Sequence, residues 1–130
     1  MYHIVILADN HNLGLQLAEW TKHFCTEQDL YPVVKLFTDT ELFFKAIKKT
    51  KSDVVIVALY GVAGLNATEH LRSLCPDCGL IWCSDLDFSL QAYRLRAGYF
   101  FKAPPTNAEL CEGLSLWIKR RYLHHRLLKT

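Results

Sequence analysis

The sequence lacks any apolar stretch close to the ~20 residues that cross a bilayer. Its first residues, MYHIVILADNH, also lack the Lys/Arg-bearing start and the small-residue cleavage site of a secretory signal peptide. Both absences argue against insertion into a membrane and against signal-directed export. We therefore expect a cytoplasmic protein without membrane contact.

Glycine is scarce, with six residues, and none of them forms a recognisable phosphate loop. The segment LYGVAG (59–64) matches neither G-x-x-x-x-G-K-[ST] nor G-x-G-x-x-G. The sequence also offers no defensible Ser/His/Asp spacing, no catalytic pair of acids and no activated nucleophile. We therefore predict that the protein is not an enzyme.

The five cysteines are an odd number, which argues against a disulfide framework. Cys75 and Cys78 form a C-x-x-C, but it follows a helical pattern and precedes a strand, whereas a redox dithiol opens a helix. A zinc site would need two more ligands, and His70 is the sole nearby candidate. We expect a tight loop with two partly buried thiols.

The chain has 130 residues, of which 51% are hydrophobic, so it can bury the core of one domain. Its net charge is +2, yet residues 117–130 carry five basic side chains and no acidic one. This basic end could contact an acidic partner or nucleic acid. It could equally be a solvated helix end, where cations suit the helix dipole.

Five strand-like runs alternate with helical patterns along the chain. One helical stripe is formed by Leu13, Leu17, Trp20 and Phe24. The strand-like runs are 3–7, 31–37, 53–59, 79–83 and 99–102. Because single helices separate the strands, the order predicts a doubly wound, five-stranded parallel sheet in a three-layer α/β domain.

Three segments have the capping-box spacing of a side-chain cap followed three residues later by glutamate. They are TDTE (38–41), NATE (66–69) and TNAE (106–109). Each predicts a helix that starts there.

Ligands of such folds lie beyond the carboxyl ends of the strands. Asp9 and Asn10 follow the first predicted strand, and Ala58 ends the third. Ser84 ends the fourth strand and Lys102 ends the fifth. One carboxylate, one hydroxyl and one ammonium are therefore predicted to converge at this edge.

These residues, in this order, resemble the receiver domain of response regulators in two-component signalling. HIVILADN, DVVIVAL, GLIWCS and YFFKAPP are similar to the family's first, third, fourth and fifth strands. The resemblance implies a flavodoxin-like fold with strand order 2-1-3-4-5. It also implies that Ser84, Tyr99 and Lys102 are the switch hydroxyl, the switch aromatic and the family's lysine. The stretch SLQAYRLRAGYFFKAP is similar to receivers that precede LytTR-type DNA-binding domains.

Two departures from the family lie at its reacting centre. The position that matches the phosphorylated aspartate is Ala58, and one of the two metal-binding acids is replaced by Ala8. The resemblance implies that Ala8, Asp9 and Asn10 are the remnant of the family's acidic pocket. An alanine cannot act as a nucleophile, and Asp9 alone is a poor site for Mg²⁺. We expect no Mg²⁺, no metal site and no cofactor, and we predict that Lys102 pairs with Asp9 instead. Asp85 and Asp87 are expected at the start of a helix.

The resemblance and the departures together predict a degenerate receiver that signals without phosphorylation, in transcription regulation. Residues 1–122 would form the receiver-like domain, and residues 123–130 a basic helical extension or the start of a linker. A protein partner or a second copy would bind the face made by the fourth helix, the fifth strand and the fifth helix (residues 87–120). DNA would be contacted only through an output domain outside this chain. The alternative is a flavodoxin-like module that binds a small ligand in the vacated acidic pocket.

Overall fold

In this computed structural model the backbone of residues 1–129 and the side chains of residues 1–123 are described. Five strands alternate with five helices in this part of the chain. They are β1 (His3–Ala8), α1 (His11–Glu27), β2 (Val33–Phe37), α2 (Thr40–Lys49), β3 (Val54–Ala58), α3 (Gly61–Leu74), β4 (Gly79–Ser84), α4 (Ser89–Arg94), β5 (Tyr99–Lys102) and α5 (Asn107–Lys129).

The strands form one parallel sheet with the order β2-β1-β3-β4-β5. The predicted fold class and strand order are confirmed. All five residues of β3, VVIVA, are buried, as expected for a central strand covered on both faces.

Helices cover both faces of the sheet and create two cores. On one face, α1 and α5 supply Leu17, Phe24, Leu110 and Leu114 to a cluster that also contains Ala8 and Ala58. On the other face, α2, α3 and α4 supply Phe43, Ile47, Leu71 and Ala92 to a cluster around Trp82. Burial of these apolar side chains is the main force that holds the three layers together.

The helix starts agree only partly with the predicted capping boxes. Thr106 caps α5, because its hydroxyl accepts from the Glu109 N–H at 3.2 Å, so this prediction is confirmed. The prediction at Thr38 is wrong by one residue, because Asp39 caps α2 through the Leu42 N–H. The prediction at Asn66 is wrong, because this residue lies inside α3.

The end of the chain continues α5 to Lys129. The side chains of His124, Arg126, Leu127 and Leu128 lie outside the described residues, and so do the metal, nucleic-acid and apolar-stripe interpretations that involve them. Among the described helices, none combines the length and apolar composition that a bilayer span requires.

Candidate functional site

Two alanine methyl groups lie side by side at the carboxyl ends of the central strands. Ala8 on β1 and Ala58 on β3 are register partners, and both are fully buried. The two positions at which the resemblance places a metal-binding acid and the phosphorylated aspartate are therefore adjacent in space. Neither side chain supplies an oxygen atom, so the side chains at the centre of the site are apolar.

Asp9 lies beside this centre, but it forms hydrogen bonds with the backbone at the end of β3 and in the loop that follows. Its N–H donates to the Ala58 carbonyl at 2.9 Å, and its Oδ1 accepts from the Tyr60 N–H at 3.3 Å. Asn10, which the sequence assigns to the acidic-pocket remnant, caps α1 by accepting from the Leu13 N–H at 2.9 Å. This capping role explains why an amide side chain is present here, and no bound ligand is needed to explain it.

Asp85 is a site residue that the sequence pattern assigns to a helix start. The structure places it after β4, where its Oδ1 accepts from the Gly61 N–H at 2.8 Å. Asp9 and Asp85 thus accept from two consecutive N–H groups, that of Tyr60 before α3 and that of Gly61 at its first residue. The helix-start role belongs to Asp87, whose carboxylate accepts from the Ser89 N–H and hydroxyl, and these bonds lower the pKa of Asp87.

Tyr60 lies between the end of β3 and the start of α3. It is half-buried and packs on the cluster that contains Ala8 and Ala58. Burial raises its pKa to about 12, and the neighbouring Cys83, Asp9 and Asp85 contribute to this shift. Burial likewise raises the pKa of the Cys83 thiol to about 12. An aromatic side chain therefore belongs to the apolar surroundings of Ala8 and Ala58.

The residues at the switch positions bond to local partners. The buried Ser84 hydroxyl donates to Asp85 Oδ1 at 3.4 Å and accepts from the Leu86 N–H at 3.2 Å. The Tyr99 hydroxyl donates to Glu112 Oε2 on α5 at 3.0 Å. Burial, followed by the hydrogen bond to Glu112, raises the pKa of Tyr99. Ser84 and Tyr99 therefore share no hydrogen-bond partner among the described residues.

The predicted ion pair between Lys102 and Asp9 is wrong. Within residues 1–123, the salt bridges join His23 with Glu27 and Arg121 with Asp53. Lys102 is exposed. The Asp9 carboxylate is turned to the Tyr60 N–H instead, and the charge of Lys102 acts on Asp87, where it helps to lower the pKa.

The oxygen donors at this edge do not fit Mg²⁺. This ion requires near-octahedral oxygen ligation, usually with carboxylates and waters. The carboxylates of Asp9 and Asp85 each accept a backbone N–H, and positions 8 and 58 both carry methyl groups. In the described part of the chain, no group of three or more His, Cys, Asp or Glu side chains is placed to hold a metal ion.

Two cavities lie at the opposite, amino-terminal edge of the sheet. One is a groove of about 890 Å³ lined by Tyr2, Asp53, Cys75, Cys78 and Arg121, among others. The second, of about 620 Å³, adjoins it beside Trp117 and Arg120. Neither cavity is lined by Ala8, Ala58 or Tyr60, so neither supports the alternative of a small ligand in the vacated pocket.

Comparison with solved structures identifies the receiver fold. The chain is similar to a response regulator receiver domain protein from Clostridium thermocellum, with 17% identity, a TM-score of 0.73, and coverage of 95% of this chain and 98% of the other. It is similar to the signal receiver domain of a DNA-binding response regulator from Colwellia psychrerythraea 34H, with 16% identity, a TM-score of 0.74, and coverage of 92% and 99%.

The BeF₃-activated receiver domain of DrrB, a Thermotoga maritima protein, is also similar, with 18% identity, a TM-score of 0.67, and coverage of 92% and 98%. No protein-family model and no curated protein sequence matches the chain. At these identities the likeness establishes the receiver fold of this chain.

Proposed function

We propose that this chain is a degenerate receiver domain, a signalling module that does not accept a phosphoryl group and acts through contact with another protein. The single observation that carries the proposal is the pairing of Ala8 with Ala58 at the strand ends. The nucleophile of acyl-phosphate chemistry is a carboxylate, and no alanine can replace it.

The surrounding residues support this proposal because they stabilise an apolar centre. Tyr60 packs on the apolar cluster that contains Ala8 and Ala58, and Asp9 and Asp85 accept from the N–H groups of Tyr60 and Gly61. A phosphoryl group would bring about two negative charges next to Asp9 and Asp85. Without a cation to neutralise them, these charges would repel one another.

The surface proposed for contact is the α4–β5–α5 face. It exposes Leu90 (58%) and Tyr93 (84%) on α4, with Leu86 (45%) just before the helix. Exposed aromatic and aliphatic side chains of this kind act as interface anchors. We propose that a second copy of this chain binds this face. We also propose that the protein is cytoplasmic and serves transcription regulation through a LytTR-like output domain outside these residues.

The phosphoryl proposal is tested with acetyl phosphate and with beryllofluoride, each in the presence of Mg²⁺. We expect no mass gain after acetyl phosphate, and no ¹⁹F signal of a bound fluoride adduct. The DrrB receiver domain, which is known in a BeF₃-activated form, is the positive control. A phosphorylated side chain, or a beryllofluoride adduct that is lost in Asp9→Asn, would contradict the proposal.

The contact proposal is tested by sedimentation over a range of protein concentrations. We expect a dimer whose association weakens in Tyr93→Glu by about 2 kcal/mol, since a buried charge replaces an aromatic anchor. Tyr31→Glu is the matched control, because Tyr31 is also exposed (68%) but precedes β2, at the other edge of the sheet. A wild-type monomer throughout the range, or equal loss in both variants, would contradict a dimer through this face.

A further inference from the structure

The C-x-x-C loop (residues 75–78) brings two thiols together at the sheet edge opposite to Ala8 and Ala58. It joins the end of α3, at Leu74, to the start of β4, at Gly79. Cys75 is half-buried, Cys78 is buried, and both are free thiols. The Cys78 Sγ donates to the Cys75 carbonyl at 3.5 Å. Both cysteines line the open groove of about 890 Å³, which gives a small molecule access to the loop.

Arg72 connects this loop to the segment between α4 and β5. Only 8% of its surface is exposed, and its guanidinium donates to carbonyl oxygens on both sides. Nη1 donates to the carbonyls of Cys75 (3.1 Å) and Cys78 (2.7 Å) and contacts the Cys78 Sγ (3.6 Å). Nε and Nη2 donate to the carbonyls of Leu95 (2.6 Å) and Arg96 (3.0 Å).

We propose that Cys75 and Cys78 close a reversible disulfide and that Arg72 transmits this closure to the residues between α4 and β5. The two cysteines follow α3 and precede β4, so they do not form a catalytic dithiol of the helix-start type. Oxidation of the loop itself needs only neighbouring thiols and access. The disulfide does not depend on the function proposed above; only its consequence for the α4–β5–α5 face does.

The oxidant is a low-molecular-weight disulfide, and the exchange balances in two steps. The Cys75 thiolate attacks one sulfur of the oxidant, forms a mixed disulfide and releases one thiolate. The Cys78 thiolate then attacks the Cys75 Sγ and releases the second. The protein loses two protons and two electrons, and both protons end on the released thiols.

The order of the two steps follows from the surroundings of the thiols. Cys75 is the more accessible, so it reacts with the oxidant. Burial, together with the adjacent Cys75 thiol, raises the pKa of Cys78 to about 12, so its attack is the slow step. The Arg72 guanidinium beside the Cys78 Sγ opposes this shift and stabilises the thiolate as it forms.

Transmission follows from the bonds that share one guanidinium. A bond between the two sulfurs turns the Cys78 side chain toward Cys75 and changes what Nη1 contacts. Because the guanidinium is planar and rigid, movement of Nη1 also moves Nε and Nη2 relative to the Leu95 and Arg96 carbonyls. The residues after these carbonyls are held by bonds from the Ala97 N–H to Ala92 and from the Gly98 N–H to Leu80. Weaker hydrogen bonds at Ala97 and Gly98 would directly increase the mobility of the end of α4 and the start of β5.

The disulfide is tested by incubating Cys83→Ala protein with glutathione disulfide. This variant removes the third cysteine of the tryptic peptide that spans residues 73–94. We expect a loss of two hydrogens that maps to Cys75 and Cys78 and is reversed by dithiothreitol. Cys75→Ser should abolish the loss, and Cys78→Ala should stop at a mixed disulfide on Cys75. No loss of two hydrogens, or one that maps elsewhere, would overturn the inference.

The transmission is tested by hydrogen exchange on the same samples. We expect the amides of residues 95–98 to exchange severalfold faster after oxidation, and unchanged in Cys75→Ser exposed to the same oxidant. A disulfide without any change at residues 95–98 would overturn the transmission while leaving the disulfide in place. Phosphorylation by acetyl phosphate does not bear on either result, so the two proposals fail separately.

Discussion

Replacing Arg72 by methionine is expected to lower the free energy of unfolding by about 3–5 kcal/mol. The guanidinium is buried, and its donors satisfy four carbonyl groups from two separate loops. Methionine keeps an apolar stem of similar length, so the volume is largely retained while every donor is lost. Each buried carbonyl left without a partner costs about 1–3 kcal/mol, and partial access of water at the groove reduces the total.

Thermal and urea unfolding, followed by circular dichroism, measure this loss. Arg94→Met is the matched control, because Arg94 is exposed on α4 and its replacement should change stability by less than about 0.5 kcal/mol. Arg72→Lys should fall between wild type and Arg72→Met, since a compact ammonium cannot reach carbonyls on both sides at once. An Arg72→Met protein as stable as the Arg94→Met protein would show that these bonds contribute little.

The sequence is sufficient to predict the sheet and the strand ends. Alternation of apolar runs with helical stripes determines a parallel order, and in a parallel sheet the strand ends meet at one edge. The positions of Ala8 and Ala58 at the ends of two such runs therefore predict that they lie together, and the register confirms it. The central strands are the easiest elements to predict because nearly every residue in them is apolar.

Asp85 could not be assigned from sequence, because an acid between a strand and a helix suits two roles. It can cap the coming helix or bind a neighbouring loop, and both are hydrogen bonds to backbone N–H groups. The signal that distinguishes them is distance from the helix, since α4 begins only at Ser89. Asp87 is close enough to bond to that start, and Asp85 is not.

The burial of Arg72 could not be predicted from the sequence, for a different reason. Arginine is rarely buried without a paired acid, so a sequence pattern assigns it to the surface. Its partners here are main-chain carbonyls, which every residue carries and which leave no trace in the sequence. The Lys102 prediction failed because it considered only the charged side chains. Opposite charges are expected to pair, but the Asp9 carboxylate accepts from the backbone N–H of Tyr60 instead.

Replacing Gly64 by alanine is expected to cost at least about 3 kcal/mol, and more if the loop cannot move. Gly64 lies in α3 with its Cα against the preceding loop. An added Cβ would overlap the carbonyl oxygen of Leu59 and lie 2.8 Å from its carbonyl carbon. That oxygen belongs to the backbone, and the next two residues, Tyr60 and Gly61, are held by Asp9 and Asp85. The collision therefore cannot be relieved by a side-chain rotation.

Gly61→Ala separates this collision from backbone strain at the same site. Gly61 has φ of +67°, but an added Cβ would meet nothing within 4 Å, so only the left-handed conformation is penalised, by about 1–2 kcal/mol. We expect Gly64→Ala to lose more stability in urea unfolding than Gly61→Ala. We also expect Gly64→Ala to lower the pKa of Tyr60 from about 12 in ultraviolet titration, because a displaced loop exposes the phenol to water. If instead Gly61→Ala were the more damaging change, the left-handed conformation of Gly61 would matter more to stability than the close approach of α3 to Leu59.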